Sequence, residues 1–545
     1  MSLKTPLEMF YQWEQTHPDS IYLKQPIDGV TKDFTWRETG QQARKVAASL
    51  LAMDLPKGSH IAILSKNCAE WFITDLAIML AGHVSVPIYS TAGEKTIQYV
   101  LDHAKCPVIF VGKLDNTEKQ VAAIDDGIVK LAFPYPNIPA DKQWAELLQT
   151  VPFLGKPIPA LDSIMSIVYT SGSTGNPKGV VHNYESICWA ASNSLNELGV
   201  DQNDRILSYL PLAHITERVL VEISSFYSGS RIDFIESLDT FARDARATQP
   251  TLFISVPRLW TRFQMGVLAN MPQKKLDFLL RVPIVGGIVS KKIRTKLGLG
   301  QARLCASGSA PIPATTLEWF RKIGINISEG WGMTENSAYG TCCVPFRADK
   351  LGSIGRAYSG VDIRIAEEGE IQVKGPCNMK EYYLEPEKTA EVMTEDGYLK
   401  TGDKGSIDSE GYIKITGRLK EIFKTSKGKY IAPVPIESKL MANSSIEQVC
   451  VTGSQLKQPI GLVVLSAEAL KLPAAEIQLS LLATLNEVND TLESHAVLDC
   501  LIVMKDEWTV DNGLLTPTLK VKRHNLEEHY KGLINGQLKG KIAWQ

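Results

Sequence analysis

The stretch SIVYTSGSTGNPKGVVH, residues 166–182, holds seven Gly, Ser or Thr residues between Thr170 and Gly179 and a single lysine, Lys178. Apolar, β-prone residues flank it on both sides, SIMSIVYT before and GVVH after. Both flanks predict strands. The familiar phosphate loop, GxxxxGK followed by Ser or Thr, joins a strand to a helix. This segment breaks that pattern, since Pro177 precedes Lys178 and Gly179 follows it. A loop between two strands can still wrap a phosphate chain with backbone N–H groups and hydroxyls, because glycine adopts unusual φ and allows close approach. A Gly/Ser surface turn is the other reading, and loop composition alone leaves both open.

Outward from this loop, the chain alternates helical and strand patterns. WRETGQQARKVAASLLAMDL spaces its apolar residues as an amphipathic helix, while HIAILS and PVIFVG read as short buried strands. PTLFISV and ARLCASGSA continue the alternation, which predicts layered α/β units. From Gly352 the texture changes to short strands punctuated by glycine, EGEIQVKG, GYLKTGD and GYIKITG, a β-rich unit. A charged stretch, LKEIFKTSKGK, follows Arg418, and a boundary is placed near Lys420. Residues 1–419 are expected to form the large domain and 420–545 a small α+β domain.

The length, 545 residues, favours several domains, and 44% hydrophobic with 22% charged residues suits packed cores. A net charge of −2 gives no field toward nucleic acid, so no nucleic-acid partner is expected. Nine cysteines without a CxxC pair fit reduced thiols in a cytoplasmic setting rather than disulfides or zinc. The N-terminal residues lack an apolar signal core. The segment from Trp71 to Tyr89 carries Asp75 and His83, so it reads as a buried helix and strand, not a membrane span.

YTSGSTGNPKGVVH resembles the phosphate loop of the adenylate-forming superfamily, which comprises acyl-CoA synthetases, luciferases and peptide-synthetase adenylation domains. Further matches follow in the family's order: SYLPLAHITER, ASGSAPI, EGWGMTEN, the segment from Gly397 to Pro433, and LLTPTLKVKR. The LPLAHITER and LTPTLKVKR forms are most similar to the long-chain fatty acyl-CoA synthetase branch.

That resemblance implies ATP, Mg²⁺ and coenzyme A as cofactor or co-substrates, and a role for each matched residue. Thr170, Ser171, Gly172, Ser173, Thr174, Gly175 and Lys178 would hold the β- and γ-phosphates. Glu335 and Thr170 would serve the metal, oxygen ligands of the kind Mg²⁺ prefers, with Thr334 near the α-phosphate. Ser307, Gly308 and Ser309 would line the adenine opposite Trp331 and Gly332. Trp331 stands where the family usually has tyrosine; an indole can stack but cannot reproduce a phenol hydrogen bond. Asp403 and Arg418 would bind the ribose, His214 would sit near the substrate carboxylate, and Lys520 would be the catalytic lysine of the C-terminal domain. Lys420 and Lys424 would also touch nucleotide, and Gly428 would border the thiol path. Leu519 replaces a common glycine, and Pro435 a common glutamate, while Glu437 remains. Each residue also has a plain structural reading: a turn lysine, a core tryptophan, an Asx turn, a structural histidine.

The implied activity is ligation of a long-chain fatty acid to coenzyme A through an acyl-adenylate. Two rivals stand beside it. One is a fatty acyl-AMP ligase that delivers to a carrier protein, and the other a non-catalytic lipid or nucleotide sensor. The protein is expected as a monomer or homodimer. FLLRVPIVGGIVSKKIRTK sets apolar residues beside five basic ones. It reads either as core strand and helix with a solvated basic face, or as a peripheral contact with the inner face of an anionic membrane.

Overall fold

The computed structural model describes residues 3–170, 176–516, 519–536 and 540–545. Unbroken apolar runs set its frame. Ile61 to Leu64 and Val108 to Val111 are fully enclosed and lie as parallel neighbours, Ile61 opposite Val108 and Leu64 opposite Val111. Parallel strands bury both faces, so they carry no polar alternation. Among the described residues they belong to an eight-stranded sheet. Its order is Glu381–Tyr382, Lys178–Asn183, Ile164–Thr170, Val84–Ile88, His60–Leu64, Val108–Val111, Val129–Ala132, Lys142–Gln143. A nine-stranded sheet carries Ile327–Trp331, Leu304–Ser307, Leu252–Ser255 and Arg205–Ser208 as successive neighbours. This is the α/β layering the sequence predicts.

The helix Ala69–Leu80 is buried along its whole length and feeds the strand Val84–Ile88. Its Asp75 is matched by the buried Arg218, whose Nη2 donates to the two carboxylate oxygens at 2.8 and 2.9 Å and to Ser85 Oγ at 2.6 Å. Arg218 opens a π-helical turn, Arg218–Ile223, and its Nη1 lies 3.3 Å from Glu222. Burial, reinforced by the nearby Asp75 charge, lifts the Glu222 carboxyl well above the usual carboxylate range. Arg218 and Asp75 balance one another, and the cluster disfavours a second carboxylate charge on Glu222. None of the described helices is long and apolar enough to cross a membrane. All nine cysteines are buried and unpaired.

Residues 362–418 fold as a four-stranded antiparallel sheet, Asp362–Ile365, Glu370–Lys374, Leu399–Ile407 and Ile413–Arg418. Gly411 makes the last turn at φ +82°, a conformation that costs glycine little. A single 3₁₀ turn, Leu419–Glu421, leads onward. Beyond it, Ile446–Thr452, Ile460–Leu465, Leu501–Val503 and Ile542–Trp544 form a separate four-stranded sheet. One of its faces packs Leu481 and Leu485 from the helix Ala474–Asn489, the other Trp508 and Leu526. Arg523 ties this unit to the 3₁₀ turn, with Glu437 at 2.8 Å and Glu421 at 3.5 Å. An ion pair between Arg258 and Glu447 bridges to the larger part. Pro435 sits in the first turn of the helix Pro433–Leu440, where the missing N–H has no intrahelical acceptor to lose.

One expectation is corrected. The segment 278–296 contains no strand; it belongs to two helices, Gln273–Arg281 and Val285–Lys296, joined by a short apolar turn. Without alternation or flanking breakers, a short apolar run does not separate strand from helix.

The Arg218–Asp75 pair yields a stability prediction. Removing one partner leaves the other charged and buried, which typically costs about 3–5 kcal/mol. Asp75→Ala should therefore lower the unfolding free energy of the larger domain by that order, read as a fall in its urea midpoint. An unchanged midpoint would show that the pair is not an uncompensated liability once broken.

Candidate active site

Thr170 and Lys178 stand opposite each other at the mouth of the loop, paired in the antiparallel register of Ile164–Thr170 and Lys178–Asn183. The loop thus joins two strands, and no helix N-terminus takes part. Ser171, Gly172, Ser173, Thr174 and Gly175 lie outside the described residues. Lys178 Nζ rests over the ring of Tyr382, 4.4 Å from its centroid. Partial burial, then the neighbouring Lys420 charge, pull the Lys178 pKa below the ordinary lysine value, while Glu335 works the other way.

Thr334 and Glu335 occupy a single 3₁₀ turn, Thr334–Asn336, closed by Met333 N–H donating to Asn336 Oδ1 at 2.8 Å. Glu335 Oε1 accepts from Tyr382 Oη at 2.7 Å. Ser337, with φ 55°, follows the turn and donates to the carbonyl of Cys377 at 2.8 Å. Gly332 is fixed by packing, since a Cβ there would lie 2.6 Å from the Ala338 carbonyl carbon.

Trp331 does more than the sequence suggests. Its Nε1 donates to Asp403 Oδ2 at 2.8 Å, so the indole supplies a hydrogen bond after all. Arg418 Nε pairs with Asp403 Oδ1 at 2.8 Å. Both oxygens of this buried carboxylate are thereby engaged, from the nine-stranded sheet on one side and from the last residue before the 3₁₀ turn on the other. Ser307 ends the strand Leu304–Ser307 with a buried hydroxyl that has no partner among the described residues. Gly308 follows with room for a Cβ only at 3.2 Å from the Gly330 carbonyl, and Ser309 is left-handed at φ 66°. An orphaned hydroxyl beside a strained turn suits a bound polar ring edge.

His214 caps a short helix, its Nδ1 accepting from the Thr216 N–H at 3.3 Å. Burial, with the Lys520 charge adding, lowers its pKa to about 4, so the imidazole is neutral at physiological pH. Lys520 keeps a solvent-exposed face, yet the protein crowded around its ammonium, together with Arg418, draws its pKa below the ordinary value. Asp403, Glu421 and Glu335 oppose that shift. Lys520 is therefore within electrostatic reach of His214, Asp403, Arg418 and Glu335 at once. It is presented by a tight turn in which Leu519 adopts φ 60°, the Thr516 N–H donates to the Lys520 carbonyl at 2.8 Å, and the Lys520 N–H donates to Thr516 Oγ1 at 3.1 Å.

Two expected residues stand apart. Gly428, at φ 77°, and Lys424 share the small hairpin Phe423–Lys424 and Tyr430–Ile431. Lys424 Nζ lies 5.4 Å from the Tyr430 ring centroid, and a Cβ on Gly428 would meet only Lys424 Cε, at 3.8 Å. Neither touches the Asp403 or Glu335 clusters, whereas Lys420 is exposed and close enough to perturb Lys178. Sequence reasoning missed Tyr382 and the buried His182, whose pKa burial lowers to about 4 beside Ser337. Tyr382 owes its place to strand pairing that no local motif signals, whereas His182 lies in the strand already read from GVVH.

The site gathers cations, Lys178, Lys420, Arg418 and Lys520, around two carboxylates and a neutral histidine, an arrangement that suits a polyanion. No group of three or more His, Cys, Asp or Glu residues positioned to hold a metal occurs among the described residues. Among the described residues Glu335 Oε2 has no hydrogen-bond partner, and Thr170 stands at the mouth of the loop. That donor set fits Mg²⁺, which is commonly held by one or two carboxylates with substrate phosphates completing its shell.

Comparisons with known proteins bear on the family and the fold. The AMP-binding enzyme family model matches residues 10–383, and a model of the AMP-binding enzyme C-terminal domain matches residues 420–540. A long-chain-fatty-acid–CoA ligase, FadD15 of Mycobacterium bovis, is 28% identical, covering 96% of this chain and 95% of that protein. Long-chain-fatty-acid–CoA ligase 5 of Rattus norvegicus is 32% identical over 92% of this chain and 83% of that protein. Among solved structures, the anthranilate CoA ligase AuaEII with anthranoyl-AMP superposes with TM-score 0.81 at 20% identity, covering 98% of both chains. The o-succinylbenzoate CoA synthetase of Bacillus subtilis with its acyl-adenylate gives 0.76 at 22%, covering 97% of this chain and 99% of that one. The chain belongs to the AMP-binding enzyme family.

Proposed function

We propose that the protein joins a long-chain fatty acid to coenzyme A at the expense of ATP, in two half-reactions at one site. The observation that carries this reading is the convergence of Trp331 and Arg418 on the buried Asp403, in a chain similar to named long-chain-fatty-acid–CoA ligases over nearly its whole length.

A carboxylate is a poor acyl donor because oxide is a poor leaving group. In the first half-reaction a carboxylate oxygen attacks the α-phosphorus of ATP, the bond to the bridging oxygen breaks, and pyrophosphate leaves. Lys178 and the loop it closes hold the outer phosphates, and Asp403 takes the ribose hydroxyls. Ser307 and Trp331 border the base. Neutral His214 can approach the fatty carboxylate without neutralising it. Lys520 places a fixed positive charge where negative charge grows on the α-phosphate, and such preorganised charge is commonly worth about 3–4 kcal/mol or more. When bound by Glu335 and Thr170, Mg²⁺ supplies charge neutralisation for the phosphates.

In the second half-reaction the thiolate of coenzyme A attacks the acyl carbon and AMP departs, the thiol proton passing to solvent. Gly428 then replaces Lys520 at the site. We place the domain boundary between residues 419 and 420, where the 3₁₀ turn after Arg418 can absorb the rotation. The arrangement described here, with Lys520 inward and Gly428 outward, suits the first half-reaction.

For partners we propose the fatty acid, ATP and coenzyme A, with peripheral contact to an anionic membrane through the helix pair Gln273–Arg281 and Val285–Lys296. Phe278, Ile284 and Ile288 are 67%, 83% and 62% exposed there. The exposed Lys274, Lys275, Arg281, Lys291 and Lys292 belong to the same two helices. Apolar tips beside lysines suit shallow insertion under anionic headgroups.

Pyrophosphate release measured across fatty acids of graded length, with and without coenzyme A, tests the activity. Release with long acids, and thioester only when coenzyme A is added, is expected. Thioester formed on a carrier protein but not on coenzyme A would favour the carrier-directed alternative, and no release with any acid would favour a sensor. Lys520→Ala should lose adenylate formation by roughly 100-fold or more, while converting premade acyl-adenylate and coenzyme A to thioester at nearly the normal rate. Gly428→Leu should do the reverse. Equal slowing of both half-reactions by Lys520→Ala would refute the two-conformation account. In flotation assays the protein should rise with phosphatidylserine vesicles but not phosphatidylcholine vesicles, and Ile284→Ser should weaken it. Binding that is indifferent to salt and lipid charge would end the membrane proposal.

A further inference from the structure

Tyr382 touches both halves of the charged site. Its hydroxyl donates to Glu335 Oε1 at 2.7 Å, and its ring lies beneath Lys178 Nζ at 4.4 Å. Lys178 closes the phosphate loop, and Glu335 is the carboxylate assigned to Mg²⁺ above. Among the described residues neither forms an ion pair, although Glu335 lies within electrostatic reach of Lys178.

The placement of Tyr382 is rigid. It lies in the two-residue strand Glu381–Tyr382, opposite Val180 of the strand that leaves the phosphate loop. Its N–H donates to Thr389 Oγ1 at 2.9 Å, and the next N–H, of Tyr383, donates to the Gly179 carbonyl at 2.7 Å. Just upstream, the Met379 N–H donates to the carbonyl of Glu335 itself at 2.7 Å. Its side chain packs with Val180, Ile371 and Met379. One short segment is therefore stitched at once to the loop strand and to the turn that carries Glu335.

Opposite charges left facing each other in a partly buried site attract strongly. A direct Lys178–Glu335 pair would occupy the ammonium that must meet phosphate and the carboxylate that must meet the cation. A phenol can satisfy both with neutral groups, the ring face for the cation and the hydroxyl for the anion. The hydroxyl takes only one carboxylate oxygen, and Oε2 has no partner among the described residues.

We propose that Tyr382 is a positioning residue for the nucleotide–metal site: it keeps Lys178 and Glu335 from neutralising one another in the free enzyme and orients the Glu335 carboxylate for the cation. This rests on the reading of Glu335 as the metal carboxylate.

Two binding measurements test it without turnover. One is Mn²⁺ occupancy by electron paramagnetic resonance in the presence of α,β-methylene-ATP. The other is affinity for that analogue in metal-free buffer by calorimetry. Tyr382→Phe keeps the ring and loses the hydroxyl. It should weaken Mn²⁺ binding about tenfold, the usual scale for losing a partner that orients a ligand, and leave metal-free analogue affinity unchanged. Tyr382→Leu should weaken both, because Lys178 is then free to pair with Glu335. Adding Glu335→Gln to Tyr382→Leu should restore the metal-free affinity, a rescue that general loosening of the fold would not give. Wild-type Mn²⁺ binding in Tyr382→Phe, while Glu335→Gln alone weakens it, would overturn the role of Tyr382 and leave the metal reading intact. Unchanged Mn²⁺ binding in Glu335→Gln would overturn the metal reading and the Tyr382 role with it. A Tyr382→Leu deficit that Glu335→Gln does not relieve would overturn the separation of charges.

Discussion

The buried carboxylate of Asp403 is the constraint on which the rest of the site depends. A carboxylate out of water must have its lone pairs met, and here the donors come from distant parts of the chain. Trp331 reaches it from the end of a strand in the nine-stranded sheet, and Arg418 from the last residue before the 3₁₀ turn. Satisfying Asp403 therefore fixes the antiparallel sheet 362–418 against the nine-stranded sheet and sets where the C-terminal unit begins. Lys520 then enters a field shaped by the same pair, with Arg418 disfavouring its charge and Asp403 favouring it. A shift of Arg418 away from Asp403 would alter both the ribose site and the position offered to Lys520, which couples the joint to the chemistry.

Much of this was legible in the sequence because it is local. Continuous apolar runs identify parallel strands whose burial leaves no room for polar residues. The pair of strands around the glycine-rich loop follows from the apolar, β-prone runs on either side, SIMSIVYT and GVVH. Asp75 argues against a membrane span, and the structure shows it matched by Arg218. What was not legible depends on tertiary pairing. Tyr382 sits in a segment, KEYYLEPEK, that has no strand periodicity, and it gains its place only because Lys380 to Tyr383 bond along residues 179–181. The indole–carboxylate bond of Trp331 was missed for a similar reason, since comparing ring types says nothing of what lies beside the ring. The helix pair around Ile284 was misread in part because its apolar run is too short for periodicity to decide.

Charge placement separates the binding site from the scaffold. Where Arg218 and Asp75 serve the fold, they pair at 2.8 Å, and burial pushes the carboxyl of the third acid, Glu222, toward its neutral form. At the site, Lys178, Lys420 and Lys520 make no ion pair among the described residues. Buried or crowded lysines left without counter-ions destabilise the free protein, and both Lys178 and Lys520 register this as lowered pKa values. Such local conflict is expected where a ligand supplies the missing partner, and a triphosphate supplies several negative charges at once.

Leu519 extends the same logic to the backbone. An exposed leucine at φ 60° is strained by roughly 1–2 kcal/mol relative to glycine. The turn persists because its neighbours over-determine it: Thr516 and Lys520 exchange backbone and side-chain hydrogen bonds across it, and Leu515 bridges Val521 just outside. A glycine would relieve the strain but would also free the turn to other conformations, since it loses more entropy on being held in one. Leucine narrows what the turn can do in the unbound state, so Lys520 is carried on a stiffer support than the family's usual glycine would give. If Lys520 acts in one half-reaction as proposed, a lysine so supported would be placed by the C-terminal unit that carries Leu515 and Val521. On the proposed two-step account, a lysine held in this way would be exchanged for Gly428 by rotation of the unit about the turn after Arg418.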